Sequence, residues 1–310
     1  MTGGYTALRE RCAWLDLSGR GIVIATGRDR TRFLHNLTTN HIKGLTPGAG
    51  CYAFLLNPQG RIQCDAGILC LEDRFLLDTE PETRERLLQH LRKYIIADQV
   101  KLEDLSGEMP AVGIEGPQSA GALETMGLPV PMDDYGHAPW ETGIVARIAA
   151  TGQPGFRVFT TDRAALVDRI AKAGIPAATA EDARVVRLEN GKPRYSEDIF
   201  DTTLPQETRQ LHAIHFQKGC YLGQEIVERI RARGHVNKLL VPVEIAGQPP
   251  PAGTKMGEAA ELTAAVLSPA LGKTVGLAYV RRQYATPGTE VAPGVVVRPY
   301  AETPAPTEAR

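Results

Sequence analysis

Residues Cys51 to Thr79 read CYAFLLNPQGRIQCDAGILCLEDRFLLDT. Three apolar runs separated by short polar breaks predict strands joined by tight turns. Asn57-Pro58-Gln59-Gly60 has Asn first, Pro second and Gly fourth, the chemistry of a type I turn. The segment that follows, Pro81 to Val100, carries Leu87, Leu88, Leu91, Tyr94 and Ile95 on one helical stripe. Pro81 fits the first turn of that helix, where a missing N–H leaves nothing unpaired. Strand, strand, strand, helix, strand in that order predicts an α+β unit with a helix laid on an antiparallel sheet.

A second unit of the same kind is expected downstream. After a loop rich in Pro, Gly and Asp (Gly127 to Gly143), GFRVFT reads as a strand and DRAALVDRIAKAG as a helix closed by Gly174. A further helix, EDARVVRLEN, stops at Gly191 with Pro193 just beyond. Past about Val241 the pattern changes to short apolar segments cut by PPPAG, SPALG, TPG and APG, which predicts a small all-β module. The last eight residues, TPAPTEAR, have too little apolar content to pack and read as a frayed tail.

The totals narrow the functional classes. Thirty-five Lys and Arg against 36 Asp and Glu leave a net charge of -1, so nothing global favours wrapping nucleic acid or lying on an anionic membrane. No apolar run approaches the ~18 residues of a membrane span, and the first residues lack a signal-peptide pattern. A cytoplasmic protein is expected. Five cysteines (Cys12, Cys51, Cys64, Cys70, Cys220) with no C-x-x-C spacing disfavour both a disulfide framework and a protein-built metal site. Cys51, Cys64 and Cys70 fall in apolar runs and read as small buried hydrophobes.

Cys220 is set apart by KGCYLGQEIVERIRAR, residues 218–233. A helix beginning near Leu222 or Gly223 and stopping at Gly234 would leave Cys220 just ahead of its positive end, with Lys218 as an added cation; both favour thiolate. Packing in a tight Gly-containing turn is the competing reading. Glu189 falls in the last turn of its helix, where the dipole disfavours a carboxylate. Sharing a face with Val185, it is either turned inward to accept parallel hydrogen bonds from an amidine-like edge, or solvated at a fraying end. Asp65 follows RIQC and lies either on a solvent face or on a cavity wall. Arg229, with Arg231, Arg233, His235 and Lys238, makes a basic run that reads as a solvated face or as a partner for an acidic ligand.

KGCYLGQE closely resembles the KGCYxGQE signature of the YgfZ-type folate-binding proteins, relatives of the aminomethyltransferase of the glycine cleavage system. FLHNLTTNHI (33–42), LLNPQGRIQCD (55–65), RLENGKPRYSEDI (187–199) and VGLAYVRR (275–282) are similar to other segments of that family, in the same order. The resemblance implies an α+β, three-unit cloverleaf around a central folate-binding hole. It places a folate-binding region at 1–235, with two interleaved α+β units and the inner one at about 49–116. A C-terminal β-barrel-like module at 236–302 and a tail at 303–310 would follow.

It also implies tetrahydrofolate or a one-carbon derivative as cofactor. The implied role is assembly or repair of iron–sulfur proteins, including tRNA-modifying ones, with iron–sulfur clients or assembly proteins as partners and neither membrane nor direct nucleic-acid contact. Carried over by position, Cys220, Lys218 and Asp65 would be the chemical residues. Glu189, Asp65, Asn57, Tyr195, Tyr221, Gln224 and Arg229 would contact folate. Where aminomethyltransferases carry paired aspartates after a Gly-Gly turn, this chain has Cys64 in the first acidic place. Asn190 and Ser196 stand where the family has Ala and Gly. The alternatives are a folate-dependent aminomethyl transferase or demethylase, and a non-catalytic docking adaptor.

Overall fold

The computed structural model describes residues 2–300. Its strands form three antiparallel sheets. The first has the order Gly50–Leu56, Ile62–Cys70, Phe75–Thr79, Gly21–Thr26, Lys101–Asp104. Its leading hairpin turns where the sequence places a turn. Gly60 N–H donates to Asn57 O at 2.9 Å, and Asn57 Oδ1 accepts from Arg61 N–H at 2.9 Å. Helix Arg84–Lys93 lays Leu87, Leu88 and Leu91 on this sheet, joined by Phe33, Leu34 and Leu37 of helix Arg30–Leu37. Tyr94 and Ile95 lie beyond the helix end but still pack against that core.

The second sheet runs Ala13–Leu17, Ala111–Glu115, Gly155–Thr160, Gly143–Ala146, His137–Trp140. Helices Ser119–Thr125 and Arg163–Lys172 cover one face with Leu123, Leu166 and Ile170. The two sheets meet through Ile22, Ile24, Leu69 and Leu76 on one side and Ala111, Ile144 and Phe159 on the other. Their membership departs from the expected inner unit of 49–116: Gly21–Thr26 joins the first sheet from outside it, whereas Ala111–Glu115 leaves for the second. Strand pairing, which a linear composition pattern does not carry, decides that exchange.

Six strands between Lys238 and Val297 make the third sheet, in the order Lys255–Met256, Ala260–Ser268, Lys273–Arg281, Lys238–Ile245, Val295–Val297, Glu290–Ala292. Phe54, Leu56 and Ile62 of the first sheet pack with Leu240, Val275 and Leu277 of the third through Leu188, Tyr195 and Tyr221. The architecture is mixed α+β. The expected tail, 303–310, lies outside the described residues. Helix Gly3–Glu10, which the sequence reading did not anticipate, packs Tyr5 and Leu8 against Val186 of helix Ala180–Glu189. That contact positions the site.

Candidate functional site

A cavity of about 1420 Å³ opens where the three sheets approach one another. Leu15 and Arg157 of the second sheet, Tyr52 and Asp65 of the first, and Pro242 of the third all line it, and so does Glu189. Asp65 and Glu189, 124 positions apart in the chain by their numbers, are thereby brought to one wall system.

Glu189 is the last residue of helix Ala180–Glu189, which begins with a capping box between Thr179 and Asp182. The carboxylate faces the unfavourable end of the helix dipole, and two hydroxyls hold it there. Tyr5 Oη donates to Oε1 at 2.7 Å, and Ser268 Oγ donates to the same oxygen at 2.6 Å. Oε2 lies 3.3 Å from Arg9 Nη1, yet it is buried and accepts no hydrogen bond among the described residues. A buried carboxylate oxygen with unused acceptor capacity costs free energy unless a ligand supplies the donor. Burial, reinforced by the hydrogen bond to Glu189, pushes the Tyr5 phenol up to about 12, so it stays a donor at neutral pH.

Asp65 is 7% exposed and pairs across the hairpin with Phe54. Its Oδ2 accepts from Tyr52 Oη at 2.5 Å. Burial first, and then the charge of Glu80, push the Asp65 carboxyl up to about 6, against the pull of the Tyr52 hydrogen bond and of Arg20. An acid so placed can hold or release a proton near neutrality. Tyr52 in turn stacks between Tyr135, at 6.2 Å, and His212, at 5.5 Å. Tyr135 holds this position at φ 60, a left-handed backbone that a bulky residue adopts only under strain. All three residues line the cavity, so this aromatic stack stands beside the carboxyl.

A buried charge network backs this wall. Arg20 Nε donates to Asp78 Oδ1 at 2.5 Å, Arg157 Nη1 donates to Asp78 Oδ2, and Arg20 Nη1 donates to Glu80 Oε1 at 2.7 Å. Burial alone would raise the Glu80 carboxyl, but Arg20 and Arg194 hold it down at about 2. Glu80 therefore keeps its charge well into acid, whereas Asp65, which makes no ion pair among the described residues, takes up its proton at about pH 6. Interlocking of this kind fixes geometry more than it adds stability.

The signature segment lies elsewhere. Lys218, expected as a cation for the thiol, is buried, and its ammonium donates to His35 O and Thr38 O at the end of helix Arg30–Leu37. Cations are stabilised at that helix end, and the two carbonyls need donors, which is why the side chain turns inward. Burial pushes the Lys218 ammonium down to about 7. His35 Nε2 meets Lys218 O at 3.0 Å, and Leu222 N–H donates to Asn36 O at 2.9 Å, so the segment is stitched to the helix. Cys220 is exposed. The helix behind it is Gln224–Arg233, beginning one or two residues later than expected because Gly223 adopts φ +81. A Cβ on Gly223 would fall 2.6 Å from Asn57 O, and one on Gly60 would fall 2.7 Å from Ile226 Cβ, so helix and hairpin turn are in direct contact.

Of the expected folate contacts, Asp65 and Glu189 line the cavity, and Asn57, Tyr195, Tyr221, Gln224 and Arg229 lie outside its lining. Asn57 serves its own turn. Tyr195 is buried with its hydroxyl donating to Gln63 O at 2.7 Å. Tyr221 packs in the core that joins the first and third sheets. Gln224 opens the helix, and Arg229 is exposed on it. Residues that the sequence reading missed include Tyr5, Tyr52, Tyr135, Ser268 and Arg298. For Tyr52 a signal existed: folding the hairpin about Asn57–Gly60 sets it one diagonal step from Asp65.

The GCVT N-terminal domain family matches residues 2–218. The chain is 29% identical over 292 residues to an aminomethyltransferase of Rubrobacter xylanophilus, covering 89% of this chain and 78% of that protein. It is 28% identical over 309 residues to an aminomethyltransferase of Rippkaea orientalis, covering 92% and 82%. Its fold is similar to the crystal structure of the glycine cleavage system aminomethyltransferase T from Bartonella henselae. The TM-score is 0.86 at 21% identity, over 96% of this chain and 87% of that one.

Proposed function

The chain belongs to the GCVT N-terminal domain family, and from that premise we propose that its cavity binds tetrahydrofolate or a one-carbon derivative of it. One observation carries the reading: a buried, cavity-lining glutamate with one oxygen lacking a hydrogen-bond donor among the described residues. The volume of about 1420 Å³ admits a ligand of that size. When bound, the folate would supply nitrogens that accept or give up a one-carbon unit.

The protein's own part divides as follows. Glu189, steadied by Tyr5 and Ser268, accepts hydrogen bonds from the pterin's amino edge. Tyr52, Tyr135 and His212, which line the cavity, give the ligand aromatic contact. Asp65, oriented by the Tyr52 hydroxyl, accepts or releases a proton at about pH 6.

Folate-dependent one-carbon transfer is the reading that the similarity to aminomethyltransferases supports. It predicts turnover of methylene-tetrahydrofolate with an amine donor, lowered at least ~100-fold in Asp65→Asn. Absence of turnover in a preparation that still binds tetrahydrofolate contradicts it. A second reading is a YgfZ-type accessory role toward iron–sulfur proteins, with Cys220 as the functional thiol. Two observations favour it: Cys220 is exposed in its signature, away from the cavity, and buried Cys64 leaves Asp65 without a second acid beside it in the chain. That reading predicts full tetrahydrofolate binding but loss of iron–sulfur enzyme activity in a deletion strain carrying Cys220→Ala.

A further inference from the structure

Glu189 is not the only group at its end of the cavity with an unused hydrogen-bonding atom. Arg298 follows strand Val295–Val297, where its N–H donates to Pro242 O at 2.8 Å, and its side chain lines the same cavity. Its Nη1 is buried and has no hydrogen-bond partner among the described residues. Pro242 also packs against Gly191, two residues past Glu189, which brings the base of Arg298 and the end of the Glu189 helix together. Burial is the largest influence on Arg298 and pushes its guanidinium down, followed by the charges of Glu244, Glu189 and Arg9. Among the residues lining the cavity, Glu189 therefore has an unused acceptor, Oε2, and Arg298 an unused donor, Nη1.

A ligand that satisfies both must present a donor next to an acceptor on one edge. A lactam does so, with N–H beside C=O. A 4-amino heterocycle reverses the pattern, setting a bare ring nitrogen toward the carboxylate and an amino group toward the guanidinium. Leaving either protein group unpaired in a dry site is what makes such a mismatch costly.

We propose that Arg298 is a specificity-determining residue that, with Glu189, selects the lactam edge of a 4-oxo-pterin over its 4-amino counterpart. The proposal rests on the folate reading above and adds to it the identity of the edge and of the second residue that reads it. Arg298 is replaceable without leaving a buried carboxylate unpaired, because Arg9 still lies 3.3 Å from Glu189 Oε2.

The test is anaerobic titration calorimetry of the full chain with tetrahydrofolate and with the tetrahydro form of its 4-amino analogue. Wild type is expected to prefer the 4-oxo compound by about tenfold or more, the worth of one well-made hydrogen bond. Arg298→Met should cut that preference about tenfold by weakening the 4-oxo compound alone, and Arg298→Lys should restore part of it. Unchanged melting temperatures check that each variant is folded. Equal weakening of both ligands in Arg298→Met, or of neither, overturns the role of Arg298 while leaving the folate reading intact. Failure of wild type to bind either ligand overturns both.

Discussion

The cavity wall around Asp65 and Glu189 and the segment from Lys218 to Glu225 use ionisable groups in opposite ways. On the wall, each carboxylate is buried with hydroxyl donors on one oxygen, and Glu189 retains an oxygen without a hydrogen bond. In the segment, the buried ammonium of Lys218 is spent on two backbone carbonyls. The thiol that distinguishes the segment faces outward. The difference teaches that a recognisable motif and a ligand-ready site are separate properties. The motif ties the first sheet's hairpin turn to a helix; the cavity wall keeps a buried carboxylate oxygen with no hydrogen bond among the described residues.

Lys218→Met should break the segment most. It leaves two carbonyls at a helix end without their donor, and stability should fall by about 3 to 4 kcal/mol, read by urea unfolding. Folded Lys218→Met should still bind tetrahydrofolate, because Lys218 does not line the cavity. A loss of affinity with stability intact would erase the contrast between the regions.

Asp65→Asn should do the reverse and stabilise the fold. The folded carboxyl ionises at about 6, above its unfolded value near ~3.9. The folded state therefore holds the proton more tightly, and ionising Asp65 in place destabilises it. That penalty is absent below about pH 4, grows as pH rises and is complete above about pH 6. The variant should gain about 2 kcal/mol over wild type at pH 7.5 relative to pH 4, by denaturant unfolding at both pH values. A constant difference between the two pH values would show that Asp65 is not held in this way.

Smaller effects sharpen the account. Ser196 adopts φ 68, and Ser196→Gly should stabilise the fold by up to about 1 kcal/mol, checked by thermal unfolding. Cys220→Ala should change stability by less than about 0.5 kcal/mol. In the native wild type, alkylation followed by mass spectrometry should label Cys220 ahead of Cys64, Cys12 and Cys70, which are buried. Early labelling of Cys64 would contradict the packing of the first sheet.

Much of this was legible in the sequence. The turn at Asn57–Gly60, the helix carrying Leu87, Leu88 and Leu91 and the all-β end follow from local chemistry and period, whereas for Glu189 these left an inward and a solvated reading open. Less legible were features that depend on distant pairing. Tyr5 and Ser268 hold Glu189 from 184 and 79 positions away, and no spacing rule links them. The inward turn of Lys218 follows from the needs of carbonyls 183 and 180 positions earlier. Sheet membership of Gly21–Thr26 and Ala111–Glu115 likewise depends on which strand arrives beside which.

The most direct test sets the two regions side by side in one titration, with Glu189→Ala and Cys220→Ala each measured against wild type for tetrahydrofolate affinity under anaerobic conditions. The account predicts a loss of about 100-fold for Glu189→Ala, the worth of charge-assisted hydrogen bonds in a buried site. For Cys220→Ala it predicts no change. Unchanged affinity in Glu189→Ala, or a comparable loss in Cys220→Ala, would contradict it.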